Sequence, residues 1–82
     1  MNQSVQILDG FSYNKEKLAM EIKAFDCGQL VPCFIGDIDE KSADMFYQHH
    51  QFDIEESLVD LIEDEQWNEN GEVWLSAVDI AI

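Results

Sequence analysis

The stretch Asp53–Gln66, D-I-E-E-S-L-V-D-L-I-E-D-E-Q, constrains this chain more than any other. Ile54, Leu58, Leu61 and Ile62 recur at i, i+4, i+7 and i+8, the spacing of one buried stripe on a helix. Glu55, Glu56, Asp60, Glu63 and Asp64 fall on the other side. Asp53 followed by Glu56 reads as a capping box, which starts the helix at Asp53. Such a helix is stable only against an apolar floor, which the rest of the chain must provide.

Three stretches supply it. Gln3–Leu8 alternates polar Ser4 and Gln6 with Val5 and Ile7, a half-buried strand closed by Asp9-Gly10. Phe11–Glu16 reads as an irregular connection with Phe11 and Tyr13 as apolar anchors. Lys17–Phe25 has period two, with Leu18, Met20, Ile22 and Ala24 on one side. Asp26-Cys27-Gly28-Gln29 turns the chain, and Leu30–Ile35 returns it. Pro32 lacks an amide proton, so its nitrogen must face an edge or a bulge.

After Gly36 a second capping pair, Asp37 and Glu40, opens a first helix that runs to Gln51, with Ile38, Ser42, Met45, Phe46 and His49 as its inward stripe. Phe52-Asp53 breaks it and begins the second. Trp67 closes the core beyond the second helix. Glu72–Ile80 reads as a last strand, apolar on both faces: Val73, Leu75 and Ala77 on one, Trp74, Val78 and Ile80 on the other. The expectation is a single α+β domain of two layers. An antiparallel or mixed sheet of about four strands, in the order β-β-β-α-α-β, carries two helices on one face.

Charge bounds the partners. There are 18 acidic residues against four lysines and no arginine, a formal charge of −14 over 82 residues. Direct binding to nucleic-acid phosphates or to an anionic membrane requires the opposite balance. A basic protein partner is favoured by the long-range field. At 46% apolar the chain has enough greasy surface for a folded core. No run approaches the ~20 apolar residues of a membrane span. The N-terminal Met-Asn-Gln-Ser-Val carries no signal-peptide pattern, so the expected location is the cytoplasm. Cys27 and Cys33 are expected to be free thiols, Cys33 on an inward position and Cys27 in a turn.

No constellation carries chemistry. His49 and His50 are adjacent and point about 100° apart on a helix, a poor chelating pair; His49 is placed on the apolar stripe and His50 in solvent. Asp37-x-Asp39 lacks the glycine and the terminal glutamate of a calcium loop. The run Glu63-Asp64-Glu65 lies at a helix C-terminus, where negative charge is unfavourable. No catalytic residue, cofactor or metal ligand is assigned.

The segments Asp26–Gly36 and Gln51–Gly71, with F-D-I-E-E at 52–56 and L-I-E at 61–63, resemble the small proteobacterial proteins grouped as domain of unknown function 1488 (DUF1488). The resemblance extends over nearly the whole chain and implies a compact α+β fold. It brings no activity, cofactor or catalytic residue.

The resulting expectation is a non-enzymatic protein-interaction or regulatory module. Its partner-facing acidic surface is Glu55, Glu56, Asp60, Glu63 and Asp64, and Trp74 is an interface anchor. A homodimer through the C-terminal strand is a further expectation. Two alternatives are weighed beside the module: a DNA mimic that occupies a nucleic-acid-binding protein, and, least favoured, a small metal protein or enzyme.

Overall fold

A computed structural model describes residues 5–81. The expected strand therefore starts, among described residues, at Val5; Gln3, Ser4 and the N-terminal Met-Asn lie outside them. The element order is β1 (Val5–Ile7), β2 (Ser12–Asn14), β3 (Ala19–Asp26), β4 (Gln29–Gly36), α1 (Glu40–Glu63), β5 (Val73–Ser76) and α2 (Ala77–Ala81). The fold is α+β: an open mixed sheet with one long helix and one short one.

β3 and β4 form the central hairpin, registered from Met20↔Ile35 to Asp26↔Gln29. Its two-residue turn has positive φ at Cys27 (53°) and Gly28 (82°), as a type I′ turn demands. Counting back from that turn, Pro32 opposite Lys23 is a position that makes no hydrogen bond to β3. Its nitrogen faces the other way, where β5 pairs only from Cys33 onward, so no ladder bond is lost.

β1 and β2 run in line along the far edge of β3, pairing with Ala24–Asp26 and with Ala19–Glu21. Between them Leu8–Phe11 faces only Ile22 and Lys23, a bulge that Gly10 (φ 90°) allows. The Gly10 amide donates to the Tyr47 hydroxyl at 2.8 Å, and Phe11 packs on that ring. The stretch expected to be irregular is thus a short strand at its centre: a bulge changes the alternation, and period-two reading fails across it. β5 adds parallel to β4 on the other side, so β4–α1–β5 is a crossover with the helix on one face.

On that face Met20, Ile22, Ala24, Cys33, Ile35 and Val73 are all closed to solvent, against Ile54, Leu58 and Ile62 of α1. Leu61 is half-buried at the margin of this core. Leu18 does not join it. It sits before β3 at φ 55° and is exposed.

Several boundaries differ from expectation. The two expected helices are one, kinked where His50 leaves helical geometry (φ −124°, ψ 15°). Asp53 is therefore interior, and the Asp53–Glu56 capping box does not form. The true cap is Asp39, whose side chain accepts from the Ser42 amide at 2.8 Å; that bond holds its carboxyl below the usual range. Asp37 instead turns left-handed (φ 62°) and accepts from the Ser76 hydroxyl at 2.6 Å.

The inward stripe before the kink is Ala43, Phe46, Tyr47 and His50, so Met45 and His49 are exposed. Phe46 is common to both readings, but the phase is set by Ala43, small enough to approach the sheet. α1 ends in a Schellman motif, Gln66 to Leu61 and Glu65 to Ile62, with Glu65 rather than glycine at positive φ. Trp67 beyond it is 39% exposed and outside the core; it lines a hollow with Val5, Asp26 and Gln29 at the hairpin end of the sheet instead of closing it. The last expected strand stops at Ser76, whose hydroxyl accepts from the Val78 amide, and α2 follows with Ala77 buried.

Candidate functional site

Burial of Ile54, Leu58 and Ile62 leaves the neighbouring positions of α1 on its flanks. One flank overhangs β1. There Ile7 and Val59 form an apolar floor, with Glu55, Glu56, Asp60 and Glu63 around it and Phe52 at one end, enclosing about 450 Å³. Four of the five expected acidic residues are thus gathered in one groove. Asp64 is not among them; it is the C-cap residue of α1, bonded through its amide to Asp60 and Ile62.

Phe52 is 85% exposed, more than any other large apolar side chain described. The kink lies at His50, whose ring turns in to pack at a tilt against Phe46 (4.7 Å, 39°), and two residues later Phe52 faces water. The sequence pattern makes Phe52 part of a break between two helices and does not show this exposure. An aromatic immediately before an acidic amphipathic stretch, out of phase with its apolar stripe, was the available signal.

The groove carboxylates are uncompensated. Among the described residues the ion pairs are Lys15–Glu40 and Lys17–Glu72, and the His50 imidazole lies 3.9 Å from the Asp53 carboxylate; none of these contacts involves a groove carboxylate. Only Glu55 has a neutral partner, accepting from Gln51 at 3.1 Å.

Trp74 lies elsewhere, on the sheet face away from α1. Its ring stacks on Phe34 (4.9 Å, 22°), and its indole N–H donates to Glu72 at 3.0 Å. That bond, with a second from Asn68, holds the Glu72 carboxyl below its usual range. Trp74 also lines a broad hollow of about 670 Å³ at the C-terminal ends of β4 and β5, with Tyr13, Lys17, Leu18, Asp37 and Ser76.

Groups with intrinsic reactivity do not converge. Burial pushes the Cys33 thiol up to about 12, and it donates to the Val31 carbonyl. Cys27 is exposed at the hairpin tip. His49 is solvated, while His50 is half-buried, the reverse of expectation, because the stripe runs one residue later. Among the described residues no three of His, Cys, Asp and Glu are grouped to hold a metal ion. No described helix is long and apolar enough to cross a membrane.

The family model described as "Protein of unknown function (DUF1488)" matches residues 7–75, which hold β2, β3, β4, all of α1 and β5 up to Leu75. The chain belongs to the DUF1488 family. Its fold is shared by a solved structure of a DUF1488 protein of unknown function from Shewanella loihica PV-4. The two superpose with a TM-score of 0.81 over 92% of this chain and 94% of that one, at 24% identity. A comparison with curated proteins returns no match. This DUF1488 chain thus shares its architecture with a relative whose own function is not known, and its surface must be read on its own terms.

Proposed function

We propose that this DUF1488 chain is a non-enzymatic interaction module that receives a basic, partly apolar segment of another protein in the groove between β1 and the second half of α1. The observation that carries the reading is Phe52, 85% exposed beside four uncompensated carboxylates over an apolar floor. A merely solvated acidic face needs no aromatic standing in water. An interface does: an aromatic anchor ringed by charge combines desolvation with steering. Lysine or arginine on the incoming segment would pair with Glu56, Asp60 and Glu63, and its apolar side chains would cover Ile7, Phe52 and Val59. A reducing, cytoplasmic setting belongs to the same proposal, consistent with the two free thiols.

The test is a photo-crosslinking residue placed at Phe52 in living cells, with Lys41, exposed near the other end of α1, as control. A discrete adduct at Phe52, lost when Glu56, Asp60 and Glu63 are changed to Gln, Asn and Gln, is expected. Equal labelling at both positions, or an adduct indifferent to neutralisation, overturns the reading.

One observation favours a second reading. Glu56, Asp60 and Glu63 stand at i, i+4 and i+7, an acidic ladder along one helix edge that can imitate a phosphate row. In that case the crosslinked protein is itself a DNA binder, and DNA competes it off.

A further inference from the structure

We propose that the uncovered face of the sheet is where two copies of this chain meet, face to face, with β3 of one running antiparallel to β3 of the other. Among the described residues no helix lies on this face, yet much of it is apolar. Strand register puts Phe25, Leu30, Pro32, Phe34 and Trp74 there, and Leu8, in the bulge beyond β1, lines a hollow with Glu21 and Lys23 at its margin. Leu8, Leu30 and Trp74 are 41%, 54% and 41% exposed. Phe34 is closed, but by its own neighbours, Trp74 stacked on it and the Lys17 ammonium 5.3 Å from its centre. A contiguous apolar patch on a small domain marks an interaction surface.

Charge says what covers it. The whole chain carries 18 acidic residues against four lysines, but this face carries Lys17 and Lys23 against Glu21 and Glu72, with Asp9 at its margin, and so is far closer to neutral than the rest. A strongly basic partner has no reason to choose it. A second acidic copy does, because this is the direction of least mutual repulsion. The two α1 helices then lie on opposite outer surfaces, separated by both sheets and beyond the ~8 Å screening length of physiological salt.

The pattern is also self-complementary. Glu21 and Lys23 stand two apart on β3 and point the same way. In a two-fold contact, residue i meets j and j meets i. An axis lying between the sheets, across the strands at Ile22, sets each Glu21 against the other copy's Lys23 and each Phe34 against the other's Pro32. An axis along the strands would oppose Glu21 to Glu21. Lys23 makes no ion pair within its own chain among the described residues, so it is free to make this one. β3 and its neighbours span roughly 26 Å by 19 Å. With side-chain relief this is on the order of the ~800 Å² per partner of a standard interface.

The test is sedimentation equilibrium of the purified chain from micromolar to millimolar concentration, with three variants. Wild type is expected to dimerise. Glu21→Lys and Lys23→Glu, each leaving like charges opposed, should weaken the dimer about tenfold or more. The double reversal, Glu21→Lys with Lys23→Glu, should restore it, with circular dichroism unchanged throughout. Wild type that stays monomeric overturns the proposal, as does a dimer that ignores the single reversals or is not rescued by the double one. Because Phe52 and its carboxylates are untouched, the crosslinking result at the groove stands or falls separately.

Discussion

The two faces of one sheet are built from the same strands, yet end in different states. On the face beneath α1, Ile22 and Ile35 are sealed, and Ile54, Leu58 and Ile62 interlock with them. On the reverse, Leu30 and Trp74 remain open, and Phe34 is covered only by local arrangement. Alternation along β3 marks one side as the more apolar, since Glu21 and Lys23 take the other, but β4 is greasy on both, and the pattern alone does not say how much of the outer face stays open. The difference teaches that burial here follows from what the crossover brings over a face, rather than from hydrophobicity alone.

The sharpest way to break this contrast is to truncate a leucine on each side. Leu58→Ala should cost about 2–5 kcal/mol in urea unfolding, because a packed cavity is left. Leu30→Ala should change stability by less than about 0.5 kcal/mol, measured at concentrations where the chain is monomeric. Equal costs would mean that the outer face is as tightly packed as the inner one.

Cys33 tests the seal chemically. Its thiol is held protonated up to about 12 in the folded chain, whereas an unfolded cysteine ionises near ~8.5. Its contribution is therefore complete below the unfolded value and is lost as pH rises through the alkaline range toward the folded one. The urea midpoint of wild type should fall more steeply across that range than that of Cys33→Ala. Under native conditions at neutral pH, a thiol reagent should label Cys27 alone; rapid labelling of both would breach the inner face.

Trp74→Ala asks how much the outer face has packed for itself. Loss of the Phe34 stack and of its cover should cost about 1–2 kcal/mol in the same unfolding assay, between the two leucine values. A neutral result would make Phe34's burial incidental. The smallest effect is expected at the end of the covering helix. Glu65→Gly should stabilise by about 0.5–1 kcal/mol, since Glu65 holds a left-handed conformation that glycine adopts freely. A loss instead would show that the Glu65 side chain makes a contact that matters.

Much of this architecture was legible in residue order. The hairpin at Asp26–Gln29, the inward positions of β3 and β4, and the stripe Ile54, Leu58 and Ile62 all lie where local periodicity puts them. The acidic groove was half legible: its carboxylates could be named, but not the apolar floor from β1 or the exposed Phe52. What escaped was non-local. β2 exists because β3 offers an edge beyond a bulge, which alternation alone does not reveal. The start of α1 was misplaced because Asp37 and Asp39 are equally good caps by type. Only the Ser76 hydroxyl, 39 residues away, takes Asp37 out of the running.

Local pattern, then, determined the central hairpin, the second half of α1 and the inward side of each, because those are properties of side chains a few positions apart. Tertiary structure decided how much of the outer sheet face stays open, where the long helix kinks, and that Phe52 stands in water beside Glu55, Glu56, Asp60 and Glu63. Those outcomes depend on how distant segments compete for the same surface, and no short window of residues records that competition.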